Sequence, residues 1–333
     1  MTPPLSGGDR TFEKENAVTV TEADATFRSI VERLSRQSVD KHFDAYTDVA
    51  WDDPDFAVDP SDPRWDLWEG DGLGHTDWYR SQPEEVRSAI ALHRVAAAMR
   101  IGWEFENILQ RGLLSYVFRL PNGAEAFRYL HHEIIEESQH TLMFQEFVNR
   151  SGLPVRGLPR LITFVAERFV IRLSRADPQL FFLFVLGGED PVDHLQRQRL
   201  RAGVRHPLLE RIMRIHVTEE ARHISFARNY LRIEVPRSSR TRRLRLALRA
   251  PLLYGAMVRI MVDPPAQLGR AHGIPSAVMR EAVRHPSHRA IRAAAGSKPR
   301  KLCTDLGLVN AFTARLWDLA GLTETAGADA GAT

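Results

Sequence analysis

The stretch HVTEEARH, residues 216–223, decides how this chain is read. On a helix, His216, Glu220 and His223 fall on one stripe, because side chains at i, i+4 and i+7 share a face, and Glu219 lies off it. An ordinary polar helix surface would account for such a run, and so would half of a metal site. Upstream, EIIEESQH, residues 133–140, holds Glu137 and His140 at the same i, i+3 spacing as Glu220 and His223. The words EESQH and EEARH are both Glu-Glu-x-x-His. One Glu-x-x-His arises often by chance in helices. Two, on separate long helices, match the ligand pattern of a di-iron carboxylate bundle, which adds one glutamate from each of two further helices.

Two single glutamates are therefore needed. Between the words, FVLGGEDP delivers Glu189 straight after the apolar run LFFLFVL. An unpaired carboxylate would be costly to bury there, and a metal ion removes that cost. The competing reading is that Gly187-Gly188 ends one helix and Glu189-Asp190-Pro191 starts another. Ahead of the first word, IGWEFENILQ offers both Glu104 and Glu106 in an otherwise apolar stretch. Four buried glutamates would repel one another and take up protons, whereas two ferrous ions would balance their charge. Carboxylate and imidazole donors with open positions suit non-haem iron or manganese.

The surrounding pattern is helical. An amphipathic helix is expected over about 22–37. Residues 50–82 are rich in Asp, Trp, Pro and Gly and read as an ordered loop packed by its tryptophans. Pro83-Glu84-Glu85 opens a helix, with proline in the first turn and carboxylates at the positive end of the dipole. It runs to about Arg119, ahead of Pro121-Asn122-Gly123. Further helices are expected over about 124–149, 158–175, from 177 through LFFLFVL, 207–233 (ending before Pro236), 240–262, 275–284 and 309–320. Strand-like alternation is scarce. The expectation is all-α: one domain over 23–322, a helical bundle with a di-metal carboxylate core and extra N- and C-terminal helices, between flexible ends at 1–22 and 323–333.

Composition narrows the function classes. Hydrophobic residues make up 44% and charged residues 26%, as in soluble globular proteins. Cys303 is the one cysteine, so an intrachain disulfide is excluded and a reducing, cytoplasmic setting is expected. No stretch of about 18 apolar residues runs without a charge, so neither a membrane span nor a membrane partner is expected. The first twenty residues carry no long apolar run and so read as no secretory signal. The net charge of +3 is built almost wholly on arginine, with lysine only at 14, 41, 298 and 301. No nucleic-acid motif or basic–aromatic interleaving accompanies it. RSSRTRRLRLALRAP holds six arginines between 237 and 249. It reads as a solvated helix face, with docking of an acidic carrier protein or an anionic substrate as the alternative. Asp193 and His194 are candidates for outer partners of ligand histidines. His131, His132 and Glu133 are expected in a second layer or at the surface.

With these words in place, the chain resembles the di-iron N-oxygenases typified by p-aminobenzoate N-oxygenase, of the ferritin-like superfamily. The resemblance covers roughly residues 85–235 and is carried by EESQHT, HVTEEARH and Glu189. That family is distinguished by an extra histidine one turn before the last Glu-x-x-His, which here is His216. The resemblance implies seven metal ligands: Glu106, Glu137, His140, Glu189, His216, Glu220 and His223. It favours Glu106 over Glu104 because an amide residue and aliphatics follow, Asn107-Ile108-Leu109. It also implies two iron ions (manganese being the substitute), O2 as co-substrate, and oxygenation of an aryl amine stepwise towards nitro. No flavin, nicotinamide or Fe–S motif is present, so an external electron-donating reductase is expected, and a homodimer with it. Two alternatives stand beside this reading. One is a di-iron hydroxylase or desaturase acting on an acyl or carrier-bound substrate. The other is a non-catalytic ferritin-like iron-binding protein.

Overall fold

A computed structural model describes residues 22–323. The expected flexible ends lie outside the described residues, except Glu22 and Thr323. The described residues form twelve α-helices, two short 3-10 turns and no strand. In chain order the helices are α1 (Glu22–Asp40), α2 (Asp77–Arg80), α3 (Glu84–Val117), α4 (Glu125–Ser151), α5 (Arg160–Ala176) and α6 (Pro178–Ala202). There follow α7 (Pro207–Arg237), α8 (Arg240–Val262), α9 (Ala266–Ala271), α10 (Ser276–Arg284), α11 (Pro286–Asp305) and α12 (Ala311–Ala320). No helix among the described residues is long and apolar enough to cross a membrane.

Local chemistry sets the ends of the long helices. Gly152, at φ 61°, closes α4 in the left-handed conformation that glycine adopts without steric cost. Pro178 and Pro207 open α6 and α7, where a missing N–H costs nothing. Helix α3 packs on α4 and α6 on α7, so four long helices make the bundle. Helix α1 lies along α4 and α7, α5 along α3 and α6, and α8 and α11 cover α6.

Apolar residues on these helices fall into two main clusters. One contains Leu109, Leu113, Phe181, Phe182, Phe226 and Leu231. The other contains Leu92, Val95, Phe147, Leu208 and Ile212, with Trp51 and Trp65 from the loop between α1 and α2. The tryptophan packing expected for that loop is present. On α4 the first cluster ends at Leu130 and the second begins at Met143, and on α7 the second ends at Ile215 and the first begins at Ile224. The two Glu-Glu-x-x-His words occupy the gaps.

The competing reading of α6 falls, and two expectations change. Helix α6 does not break at Gly187-Gly188 but runs on through Pro191. The glycines are there for packing. A Cβ on Gly187 would lie 2.7 Å from Met257 Sδ, and one on Gly188 would overlap the Phe105 ring. Helix α7 continues past Ile233, through Pro236 to Arg237. Helix α11 appears where no helix was expected, because it carries Gly296 and Pro299 with few large apolar residues to set a period.

Candidate metal centre

All seven residues expected as ligands are buried, and the bundle brings them together. Glu106 comes from α3, Glu137 and His140 from α4, Glu189 from α6, and His216, Glu220 and His223 from α7. They form two overlapping groups, Glu106–His140–His216–Glu220 and Glu137–Glu189–Glu220–His223. In each, one ligand-type atom per residue lies within 4.8 Å of all the others. Glu220 belongs to both groups. Its Oε1 is 3.4 Å from His140 Nδ1 and 3.5 Å from His216 Nε2, while its Oε2 is 3.4 Å from His223 Nδ1. Glu137 also faces both sides, with Oε2 3.2 Å from His140 Nδ1 and Oε1 2.9 Å from His223 Nδ1. Two carboxylates thus stand between the groups, each turning one oxygen to either side.

The outward nitrogen of each imidazole has its own partner. His140 Nε2 donates to Glu219 Oε2 at 2.9 Å, and His223 Nε2 donates to Glu136 Oε2 at 2.8 Å. His216 Nδ1 donates to Gln196 Oε1 at 2.9 Å. With these nitrogens as donors, Nδ1 of His140 and of His223 and Nε2 of His216 are the ring atoms turned towards the cluster, where a metal ion would take them. Arg222 places Nη2 2.8 Å from Glu136 and 3.5 Å from Glu219, offsetting their charge. Glu136, Glu219, Gln196 and Arg222 were missed as orienting residues. The doubled glutamate in both words was the signal that could have found the first two.

Asp193 and His194 do not back the ligand histidines. Asp193 pairs with Arg197 at 2.6 Å and Lys298 at 3.3 Å, and His194 Nε2 makes no hydrogen bond. Glu104 turns away from the cluster to Arg100 at 2.8 Å and the Leu158 amide at 2.7 Å. Asp190 pairs with Arg228. His131 bonds the Phe127 carbonyl at the surface. Glu133 is buried outside both groups, and burial pushes its carboxyl up to about 8.

The electrostatics of the cluster fit cations. Burial and the charge of Glu137 push Glu106 well above the usual carboxylate range, and burial with Glu220 does the same to Glu189. Burial, reinforced by His140, holds His216 well below the ordinary histidine value. Glu106 Oε2, Glu137 Oε1, both oxygens of Glu189 and of Glu220, and His223 Nδ1 are buried and make no hydrogen bond. Each such orphan costs about 1–3 kcal/mol unless a partner is supplied. Atoms that converge within a few ångströms and do not bond one another suit shared divalent ions. The oxygen and imidazole donor set suits iron or manganese.

A cavity of about 150 Å³ opens on this cluster through Glu106, Glu189 and His216. Phe105, Phe144, Met99, Met213 and Leu209 give it an apolar wall, and Arg94, Arg199, Asp66 and Asp71 give it polar groups. Arg94 is committed to Asp71 at 3.3 Å and to the Val262 carbonyl. Arg199 lies within salt-bridge distance of no carboxylate among the described residues. Burial pulls its guanidinium down to about 10 against the opposing charges of Asp66 and Asp71.

The chain has relatives among known proteins. The uncharacterized proteins MT0908 and Rv0885 of Mycobacterium tuberculosis and Mb0909 of Mycobacterium bovis are each 42% identical over 298 residues. That span covers 89% of this chain and 87% of each relative. No solved structure matches the chain significantly. The family described as P-aminobenzoate N-oxygenase AurF matches residues 24–307, which span every candidate ligand. The chain, an all-α bundle of ferritin-like type, belongs to the p-aminobenzoate N-oxygenase AurF family.

Proposed function

We propose that this chain is a non-haem di-iron oxygenase that oxygenates the nitrogen of an aryl amine. One observation carries the reading. Two ligand groups share Glu220, are joined by Glu137, and open through Glu106, Glu189 and His216 on an apolar cavity. The seven residues are the proposed ligands of two iron ions, whose chemistry is the activation of O2. His216 adds a neutral donor and leaves the balance of four carboxylates against two divalent ions unchanged.

The chain's own residues do the rest. Glu219, Glu136 and Gln196 orient the imidazoles. Phe105, Phe144 and the methionines keep water from the reacting nitrogen. A cavity of this size takes about one aromatic ring, and a long acyl chain exceeds it. Arg199 offers its charge to an anionic group elsewhere on that ring. The first step balances as R–NH2 + O2 + 2 e⁻ + 2 H⁺ → R–NHOH + H2O, with both electrons supplied by a separate donor. Further oxygen transfer leads towards nitro.

The test is to load the protein with iron, reduce it, admit O2, and offer aryl amines and fatty acyl substrates in parallel. Hydroxylamine or nitro products are expected. Hydroxylated or desaturated acyl chains with amines untouched would replace this reading by a C–H oxidase. Iron that mineralises while both substrates survive would replace it by a storage role. Metal analysis should find about two ions per chain, with Glu137→Ala or Glu220→Ala losing at least one.

A further inference from the structure

The proposed reaction draws two electrons from outside the chain, and the need for an electron-entry surface rests on that reading. One line of aromatic rings connects the cluster with a particular part of the surface. Phe226, three residues past His223 on α7, stacks on Tyr129 at 4.9 Å. Phe226 meets Phe182 at 5.7 Å, and Phe182 meets Tyr230 at 4.4 Å. Tyr230 meets Tyr116 edge-on at 6.0 Å. Tyr230 is seven residues from His223, about 10 Å along the helix. Rings in contact leave no gap along this line, so an electron can tunnel through bonded and touching atoms without any ring itself being reduced.

Where this line approaches solvent, arginines outnumber the carboxylates, Glu234 and Asp177, that they meet. Arg175 bonds Ser115, the neighbour of Tyr116, and Arg119 reaches the Arg175 carbonyl. Glu234, paired with Arg237 at 3.3 Å, and Arg242 both bear on the Tyr230 hydroxyl. Arg242, Arg245 and Arg249 share one face of α8 at i, i+3 and i+7, and Leu252, 64% exposed, continues it. Arg240, Arg242 and Arg245 are exposed, and none pairs with a carboxylate among the described residues. Arg249 makes one loose contact, 3.9 Å, with Asp177. A solvated surface ordinarily mixes the two signs, whereas a face of one sign steers a partner of the other.

We propose that the arginine face of α8, beside Tyr116 and Tyr230, is the docking surface for an acidic one-electron carrier protein. Two reduced carriers dock in turn and each leaves oxidised by one electron. No bond is made or broken in that exchange.

The probe is an acidic plant-type [2Fe–2S] ferredoxin with the full-length, iron-loaded protein. Calorimetry reads binding, and ferredoxin absorbance under anaerobic conditions reads electron transfer. Affinity should fall at least tenfold as salt rises through the range where surface charges are screened. The Arg242→Glu/Arg245→Glu variant should lose at least tenfold in both binding and ferredoxin oxidation. Arg284→Glu, on exposed α10, should lose neither. Dithionite, which needs no docking, should reduce all three forms alike. A double variant that binds and oxidises ferredoxin as wild type does overturns the proposal. So does salt-sensitive binding without ferredoxin oxidation, which would give the face to another acidic protein such as an acyl carrier. Failure of the dithionite-reduced protein to oxidise any amine would instead overturn the oxygenase reading, a result scored separately from ferredoxin docking.

Discussion

In each Glu-Glu-x-x-His word the two glutamates point opposite ways. The second, Glu137 or Glu220, faces the cluster, and the first, Glu136 or Glu219, reaches across to the other helix's histidine. The two helices brace each other's imidazoles, with Arg222 between the braces. Replacing the brace by its amide keeps its size and removes its charge. Glu219→Gln and Glu136→Gln should therefore fold normally but hold iron about 10- to 100-fold less tightly, as read by competition with a chelator. Wild-type retention in both variants would reduce the braces to packing. The ligand spacing was legible because it is local to one helix. The braces were not, because one helix's sequence does not say what faces it. Glu104 and Glu106 show the same limit. They lie about 200° apart around α3, so helix spacing leaves both open; the family resemblance favours Glu106, and Glu104 turns instead to the Leu158 amide in the segment leading into α5.

Helix α6 shows what an element needs in order to bring a carboxylate into a core. Glu189 follows two glycines because Phe105 and Met257 press on the helix where side chains would stand. Gly188→Ala would force the Phe105 ring aside, and that ring lines the cavity. The expected cost is about 1–3 kcal/mol in urea unfolding, together with a raised KM for the amine. A variant with wild-type midpoint and KM would show that the glycine is incidental. The competing reading of these glycines in the sequence is a helix break, since propensity says Gly-Gly-x-x-Pro stops a helix, and tertiary packing overrides it. Helix α8 also holds a proline and a glycine in its interior, Pro251 and Gly255, yet its apolar period gives the bounds its pattern predicts, Arg240–Val262. Helix α11 carries Gly296 and Pro299 with few large apolar residues to set a period, and was missed.

At the scale of the whole molecule, the long loop between α1 and α2 closes over the start of α7, and the contact that pins it is sensitive to acid. His206, ahead of Pro207, stacks on Trp65 at 3.7 Å, and its Nε2 donates to the Ala57 carbonyl at 3.2 Å. The pattern of residues 50–82 announced packed tryptophans but not their partner, because a histidine before a helix carries no sign of stacking. Burial, helped by the charge of Arg64, holds the His206 imidazole down at about 4, although Asp62 lies 3.8 Å away. Burial and His272 likewise hold His93 at about 4. In the unfolded chain both titrate near 6.5. Above that value neither state is protonated, and the stability they permit is fully present. As the pH falls below about 6.5, the unfolded chain binds protons that the folded chain refuses, and stability drains away until the pH reaches about 4. Between pH 7 and 5 the loss should be on the order of 1–2 kcal/mol for each histidine. His206→Phe keeps a ring on Trp65 but cannot titrate, so its urea midpoint should fall less over that interval than the wild type's at the same metal content. Equal falls would mean that His206 is protonated in the folded protein and that the loop is held by the tryptophan alone.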